Sequence, residues 1–337
     1  MNKISALPLS FALLVFTPLV TVTAYSQLPA DALAAMPETA SQYAEMCSAH
    51  VGLVPKMNCD DGVVIPIYVN GEEVFQHQEP GACDDFDFKG TCNIGSRIGR
   101  LEGMSANGLP MPEVVWVYFC RSTGPLGARW SSAQMIGHNR ETGATCFFEQ
   151  GDQFDYFSYD EKGLLLGDFP GPEEPEFDNA FIPPPVQCVE CHEANPFIHN
   201  PWISGARLPE DPSQPVIPEI YGPNSPYWVV GGRGWNTRTA HIEDNGCVSC
   251  HRASVGVASL FELRGISVNE FMPPNAPGTM SEDYEELLNC FEQGALATPG
   301  CNWMTPPAGE YSGGITETEF TGSSVLKQIL DDIREEQ

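Results

Sequence analysis

Two short stretches of this sequence place a histidine directly behind a pair of cysteines. They read "CVECH" at 188–192 and "CVSCH" at 247–251. The chain has only 12 cysteines and 7 histidines among 337 residues, so chance rarely produces one such match and far more rarely two. Each stretch offers two thiols that can form covalent bonds and an imidazole that can bind a metal ion. The residues concerned are Cys188, Cys191, His192, Cys247, Cys250 and His251.

Cys-x-x-Cys-His is the attachment site of a c-type haem. The two thiols add to the two vinyl groups of the porphyrin, and the adjacent imidazole then binds the iron. A Cys₄ zinc ribbon would need its pairs about 15–20 residues apart, whereas 55 residues separate Cys191 from Cys247. A thioredoxin-type site would have a single pair in a βαβ context, and plain disulfides would not explain the histidines. The motifs therefore predict two covalent haems c with their iron.

On these six residues the chain resembles the di- and multihaem c-type cytochromes, and the resemblance covers about 186–304. It implies that the four cysteines carry thioether bonds and that His192 and His251 are the proximal iron ligands. The chain departs from the dihaem cytochrome c peroxidases, in which each of two class I-like domains holds one motif. Here the motifs lie 59 residues apart, too close for two complete domains of that kind.

The sixth iron ligands are expected among the remaining histidines of the haem segment, His199 and His241. For His199 to bind the haem of His192, seven residues would have to round the porphyrin edge, and they span at most about 23 Å. Crossed ligation avoids that strain: His199 would bind the haem of His251, and His241 the haem of His192. Met272 is the alternative ligand of the second haem.

Other residues of this segment are candidates for contacts with the haems. Arginine pairs bidentately with carboxylates such as the haem propionates, and the candidate arginines are Arg207, Arg233, Arg238, Arg252 and Arg264. Aromatic side chains would pack on the porphyrin, and the candidates are Phe197, Trp202, Tyr221, Tyr227, Trp228 and Trp235.

The N-terminus and the net charge indicate where the protein works. Residues 1–24 combine a basic start, an apolar run and a small-residue end, which is typical of a cleaved secretory signal. The rest of the sequence contains no second apolar run of spanning length, so no membrane span is expected after cleavage. A net charge of −29 argues against nucleic acid or anionic lipid as partners. It suits a basic redox partner, but it is explained more simply by a soluble protein whose copies repel one another. We expect a bacterial protein of the periplasm or the extracellular space.

Residues 60–160 are rich in β-branched and aromatic runs. "VVIPIYVNGEEVF" predicts a hairpin that turns at Asn70, and "MIGHNRETGATCFFE" predicts another that turns at 140–143. The continuous run at 113–122 predicts a strand buried on both faces. Apolar residues at helical spacing predict one helix within 27–50.

Six prolines and five acidic residues between 168 and 185 predict a linker over 169–185, with neither helix nor inner strand. The sequence thus divides into a β-rich disulfide domain at 27–168 and a loop-rich dihaem cytochrome c domain at 186–337. The predicted fold class is α+β, with an antiparallel sheet in the first domain. Two helices are predicted at the C-terminus, one after an N-cap at Ser281 and one on the stripe Val325, Ile329 and Ile333.

The eight cysteines outside the motifs are expected to form four disulfides, because thiols oxidise outside the cytoplasm. The pairs considered are Cys290 with Cys301, Cys47 with Cys59, and Cys120 with Cys146. The first pair is preferred because it encloses a loop at the end of a predicted helix. Sequence alone does not choose among the remaining pairings.

Electron transfer between redox partners is the function that two covalent haems support best, since it requires no substrate pocket. The strand-rich domain would then serve in docking or assembly. One alternative is a dihaem oxidoreductase or peroxidase, which needs an open iron position and a distal acid–base group such as Glu190, Glu193 or Glu243. Another is a cytochrome that self-assembles into a filament. The sequence favours an electron-transfer protein over an enzyme.

Overall fold

The computed structural model describes residues 36–87, 90–122, 132–151, 156–184, 188–219, 221–231, 237–254, 256–263, 265, 267–272, 274–294, 298–304, 306 and 316–317. The predicted signal segment and the predicted C-terminal stripe lie outside these residues. Of the candidate haem contacts, Arg233, Trp235 and Arg264 also lie outside them.

Helices and strands occur in one chain, so the α+β class is confirmed. The strands are β1 (Val63–Val64), β2 (Ile67–Val69), β3 (Glu72–Val74), β4 (Arg97–Met104), β5 (Pro110–Arg121), β6 (Ser132–Asn139), β7 (Ala144–Glu149), β8 (Ser158–Tyr159), β9 (Leu165–Leu166), β10 (Trp228–Val229), β11 (Thr239–Ile242), β12 (Cys301–Met304) and β13 (Thr316–Glu317). The helices are α1 (Ala40–Val51), α2 (Phe177–Ala180), α3 (Cys188–Cys191), α4 (Pro201–Ser204), α5 (Cys247–Cys250), α6 (Val257–Leu263) and α7 (Ser281–Gln293). Turns of 3₁₀-helix span Cys59–Asp61 and Val268–Phe271.

A six-stranded sheet with the order β1-β4-β5-β6-β7-β10 forms the centre of the fold. Within this sheet, β1, β4, β5, β6 and β7 pair antiparallel with their neighbours, whereas β10 runs parallel to β7. Strand β5 is the predicted strand at 113–122, and residues 114–118 within it are buried as predicted. Its register with β4 on one side and β6 on the other fixes which side chains share a face.

Both predicted hairpins are confirmed. Strands β2 and β3 pair antiparallel across Asn70 and Gly71, whose φ angles of 52° and 78° are those that a two-residue turn of this kind requires. Strands β6 and β7 flank the predicted turn at 140–143, which ends at Gly143 with φ 79°. The turn residues in the sequence therefore predict the pairing of these strands correctly.

The central sheet is covered on both faces, because successive side chains of a strand point to opposite sides. Helix α1 covers one face and buries Tyr43 and Cys47 in a cluster with Trp116 and Phe148. On the other face, Ile98 and Val117 belong to a second cluster that includes Trp202. The second face is therefore covered by a segment that follows the predicted linker.

Four disulfides are present, and one of the considered pairs is confirmed. Cys290 is bonded to Cys301. The other bonds are Cys47–Cys146, Cys59–Cys120 and Cys83–Cys92. The predicted bridges Cys47–Cys59 and Cys120–Cys146 are wrong.

Strand order explains the second of these errors. Cys120 lies on β5 and Cys146 on β7, and β6 stands between them. Strands two places apart are separated by about 9–10 Å, whereas a disulfide joins Cα atoms about 4.4–6.8 Å apart. Each cysteine instead bonds to an element that packs on the sheet. Cys146 bonds to Cys47 of α1, with 6.2 Å between the two Cα atoms, and Cys120 bonds to Cys59 of the first 3₁₀ turn.

The proline-rich segment contributes to the core. Phe169, Phe177 and Phe181 are buried in the same cluster as α1. The prediction that this segment contains no helix is wrong, since α2 forms a single turn at Phe177–Ala180, in the stretch between Pro175 and Pro183. Beyond it, β10 pairs with β7. These contacts cross the predicted boundary at 169–185.

The predicted helix near Ser281 is confirmed as α7, which buries Tyr284, Leu287 and Cys290. Ser281 is its first helical residue rather than its N-cap, which is Met280. Strands β11, β12 and β13 form a small separate sheet, and Leu287 packs in a cluster with Ile242 of β11. Within the described part of the chain, no helix is long and apolar enough to cross a membrane.

Removal of the Cys47–Cys146 bridge should destabilise the protein more than removal of Cys83–Cys92. The two bridges close sequence separations of 99 and 9 residues, and the entropy of loop closure grows with the logarithm of loop length. Because Cys59–Cys120 lies inside the longer loop and shortens it, we expect an extra loss of about 1–2 kcal/mol in the free energy of unfolding.

Denaturant unfolding of Cys47→Ala/Cys146→Ala, with Cys83→Ala/Cys92→Ala as the matched control, measures this difference. Equal losses in the two double variants would contradict the expectation.

Candidate functional site

The first motif forms one turn of helix beside an apolar cavity. Helix α3 spans Cys188–Cys191, and the amide of His192 extends the turn by donating to the Cys188 carbonyl at 2.8 Å. Residues i, i+3 and i+4 of a helix lie on one side, and both thiols and the imidazole indeed line the same cavity of about 510 Å³. This volume lies within the range of about 300–1,000 Å³ that is usual for cofactor sites.

The central sheet supplies a second wall of this cavity. Alternate residues of β5 face it, namely Val117, Phe119 and Arg121. Their cross-strand partners on β6 include Ile136, which is itself paired with Phe147 of β7. Both of these residues also line the cavity. The first motif therefore lies over the face of the sheet that α1 leaves uncovered.

A small group of polar side chains lies at the cysteine end of the cavity. The Cys188 thiol donates to Oε2 of Glu149 at 3.9 Å. Arg121 also lines the cavity, and its guanidinium lies 3.7 Å from the carboxylate of Asp87. Burial lowers the pKa of Arg121, and the negative charge of Asp87 opposes this effect. A buried charge is tolerated when it is paired, so the two groups hold each other in place.

The first motif's histidine is held as a neutral imidazole. Its Nδ1 lies 2.9 Å from the carbonyl of Pro196, and because a carbonyl only accepts, Nδ1 carries the proton and Nε2 keeps its lone pair. Burial lowers the pKa of His192 to about 4, so the ring is neutral at pH 7. A backbone carbonyl on one ring nitrogen is the usual support of a metal-ligating histidine. His251 has the same arrangement, with Nδ1 2.8 Å from the Arg252 carbonyl.

The second motif is more exposed than the first. None of the residues of α5 is buried, and the side chain of Cys250 is exposed. His251 lines a cavity of about 180 Å³, which Cys247 and Cys250 do not line. At the first motif, the thiols, the imidazole and the apolar walls together fit a haem. At the second motif the imidazole faces a cavity and the thiols lie nearer to the surface, so the fit is partial.

Of the predicted sixth ligands, the structure brings His199 and Met272 to the second motif. Both line the same cavity as His251. Within the described residues, Nε2 of His199 is buried and has no hydrogen-bond partner. Burial lowers the pKa of His199 to about 4, and the nearby His251 contributes to this shift. His241 lies on β11 with its side chain exposed, and it lines neither of the two cavities.

Hydrogen bonds join the chain segments that follow the two motifs. Asn195 donates from Nδ2 to the Arg252 carbonyl at 3.2 Å and accepts at Oδ1 from Nη2 of Arg252 at 3.0 Å. The amide of Gly256 donates to Oε1 of Glu193 at 3.1 Å. The hydroxyl of Tyr227 donates to the His192 carbonyl. The two histidines are therefore placed relative to each other by these polar contacts.

The other predicted haem contacts fall in different places. Trp202 lines the first cavity, Tyr221 lines the second, and Phe197 lines both. Tyr227 and Trp228 are buried in the core cluster that includes α1.

Among the candidate arginines, Arg252 lines the second cavity, Arg238 is buried and Arg207 is exposed. Arg121 was missed in the sequence, although a charged residue at the end of the buried run "VVWVYFC" was a visible signal.

Of the acids considered for an enzyme, Glu193 is buried and accepts from Gly256, and Glu243 is exposed. Glu149, which faces the first cavity, was not considered.

The cysteines of the two motifs differ from the other cysteines in whether they form disulfides. The eight other cysteines form disulfides, and the four of the motifs do not. Within the described part of the chain, no three His, Cys, Asp or Glu side chains converge as a zinc site would require. Burial raises the pKa of the Cys188 thiol well above its usual value and that of Cys247 to about 11. A redox-active Cys-x-x-Cys pair has the opposite shift.

Comparison of the chain with protein-family models, curated proteins and solved structures finds no match.

Replacement of Asn195 by Ala should destabilise the protein by about 2 kcal/mol, because it removes hydrogen bonds to a charged group. The guanidinium of Arg252 is buried and would lose its bonds to Oδ1 of Asn195. Asn289→Ala is the control, since among the described residues its side chain accepts a hydrogen bond from Gln293 at the surface, and its effect should stay within about 0.5 kcal/mol. Denaturant unfolding measures both variants, and a similar loss in the two would show that the Asn195–Arg252 contact is unimportant.

Proposed function

We propose that this protein is an exported dihaem c-type cytochrome that carries electrons between redox partners. The observation that supports this most is the convergence of Cys188, Cys191 and His192 on one apolar cavity of about 510 Å³. A flat apolar cofactor suits such walls, and the two thiols and the imidazole are the groups that bind it. The four disulfides fit an oxidising compartment, which we take to be the periplasm or the extracellular space.

Each group at the first site has a role in this proposal. The thiols of Cys188 and Cys191 would form thioether bonds with the two vinyl groups, and Nε2 of His192 would bind the iron. The carbonyl of Pro196 keeps the ring of His192 in the tautomer that this requires. When bound, the haem supplies an iron that takes up and releases one electron at a time. The second haem would use Cys247, Cys250 and His251 in the same roles.

The positions of the two cavities support electron exchange between the sites. Several residues line both cavities, which therefore share a wall: Cys191, Phe197, Ile198, Val257 and Phe261. Such a shared wall would keep the two haems near each other, as rapid electron exchange needs. Electron transfer is accordingly the function that this arrangement supports best.

The strand-rich part of the chain has a further role in this proposal. The sequence alone suggested docking or assembly for it. Since Val117, Phe119 and Ile136 of the sheet line the first cavity, we propose instead that the sheet is one wall of the first haem site. Docking would then belong to the more exposed second motif, where Glu243, Asp244, Glu282 and Glu285 are exposed on neighbouring elements. Acidic residues around an exposed redox centre suit a basic partner protein.

A second candidate function is a dihaem oxidoreductase in which the first haem has an open iron position. The observation that favours it is the presence of Glu149 and Arg121 in the first cavity. In an apolar site, a carboxyl group can take up and return a proton, and a guanidinium can donate hydrogen bonds to a small ligand. Binding of CO to the reduced protein distinguishes an open haem from one with six protein and porphyrin ligands.

Two covalent haems per chain are expected. Mass spectrometry of the denatured protein should find about two haem masses above the mass of the polypeptide, because thioether bonds survive denaturation. Cys188→Ala should lower covalent occupancy at the first site only, and Cys247→Ala at the second only, so each variant is the control of the other. A protein that matures in a host competent for c-type haem attachment and carries no covalent haem would refute the proposed function.

His199→Ala should convert one haem from low spin to high spin. His199 shares a cavity with His251, so loss of its imidazole should open the sixth position of the second haem. Electron paramagnetic resonance and CO binding measure the change. Met272→Ala tests the alternative ligand, and near-infrared magnetic circular dichroism of the wild type separates histidine from methionine ligation.

His241→Ala tests the other half of the crossed arrangement. The structure gives this half no support, because the side chain of His241 is exposed on β11. We therefore use it as the surface control and expect it to leave both haem signals unchanged. Loss of one low-spin signal in His241→Ala, with none in His199→Ala, would reverse the assignment.

A further inference from the structure

Cys191 occupies a position that sets it apart from the rest of the two motifs. All six motif residues belong to the described part of the chain, and among them only Cys191 lines both cavities. Cys188 and His192 line the first cavity alone, and His251 lines the second alone. The Cys191 side chain therefore stands in the wall between the two sites.

From this position we infer that Cys191 is the contact through which electrons pass between the two sites. The inference rests on the proposed function. In the first site the thiol of Cys191 would be bonded to the edge of the porphyrin through a saturated carbon, so its sulfur would provide a covalent route from the ring edge into the wall shared with the second cavity. The Cys188 sulfur has no such position, since it lies against Oε2 of Glu149 at 3.9 Å. The two thioether bonds of one haem would thus have different tasks, attachment for Cys188 and attachment with electronic contact for Cys191.

The surroundings of Cys191 suit this task. Phe197 and Phe261 also line both cavities, so the wall that contains Cys191 also contains two aromatic side chains. In the proposed exchange, these apolar side chains would reorganise less than water when charge moves across the wall, which favours electron exchange. The polar contacts between the Asn195 side chain and Arg252 hold the two sites at a fixed separation. In the exchange itself one iron passes from ferrous to ferric and the other from ferric to ferrous, so one electron moves and no bond changes.

A pair of cysteine variants of the mature dihaem protein tests this inference. Cys191→Ala and Cys188→Ala would each leave the first haem attached by one thioether, so they match in the number of thioether bonds and differ in which cysteine is lost. After mass spectrometry has confirmed two haems, electron paramagnetic resonance reports each haem separately, and flash reduction of the half-reduced protein gives the rate of exchange.

We expect Cys191→Ala to shift the signals of both haems and to slow the exchange several-fold, and Cys188→Ala to shift only the signal of the first haem. Equal effects of the two variants on the second haem and on the rate would overturn the inference and leave the proposed function standing. Absence of covalent haem from the wild type would instead overturn the proposed function.

A second pair of variants covers the case in which Cys191→Ala loses its haem. Phe261 lines both cavities, whereas Phe119 lines only the first. Phe261→Ala should shift the signals of both haems, and Phe119→Ala only that of the first. If Phe261→Ala leaves the second haem unchanged, the shared wall is not a contact between the haems and the inference fails.

Discussion

The pairing of β10 with β7 is the constraint on which the first site depends. Trp228 and Val229 pair in parallel with Ala144 and Thr145, and this pairing fixes the neighbouring Tyr227. The hydroxyl of Tyr227 in turn donates to the carbonyl of His192. The motif is thus tied to the edge of the sheet through one strand and one side chain, although α3 itself is a single turn that could not hold a position alone.

Strand β7 carries the remaining contacts of the first site. Cys146 bonds it to α1 on one face. On the other face the ring of Phe147 lies 5.5 Å from that of His192, and Glu149 accepts from the Cys188 thiol. A shift of this strand by one residue would exchange the two faces and would direct the cysteine away from α1. The disulfide between Cys47 and Cys146 therefore maintains the register that presents Phe147 and Glu149 to the motif.

Features that depend on a few adjacent residues could be predicted from the sequence. The hairpin at Asn70 and Gly71 follows from backbone angles that these two residues tolerate. The two Cys-x-x-Cys-His motifs are likewise local, and the cysteines in them are the ones that remain outside the disulfides. The Cys290–Cys301 bridge closes a separation of only 11 residues.

Features that depend on strand order and on long-range packing could not be predicted. The register of β5, β6 and β7 decides that Cys120 and Cys146 cannot bond to each other, and no local pattern reports that register. The proline-rich segment has the composition of a linker, yet its phenylalanines are buried in the core. The different positions of His199 and His241 could not be predicted for the same reason. Both lie close to a motif in sequence, and only the fold determines that His199 shares a cavity with His251 while His241 is exposed.

The two sites differ in burial, and this difference gives the proposed electron path a direction in space. The first motif lies against the sheet, with Cys188 and His192 facing an apolar cavity. The second motif lies on α5, where Cys250 is exposed. Of the two motifs the second is thus the more exposed to a partner protein, and in the proposed path an electron would pass between the two sites through the wall that contains Cys191. Arg252 is buried beside the second cavity. Burial lowers its pKa to about 10, so it is still charged at pH 7, and its guanidinium donates to the Asn195 side chain and to the Ser225 carbonyl. The contacts with Asn195 join the segments that follow the two motifs.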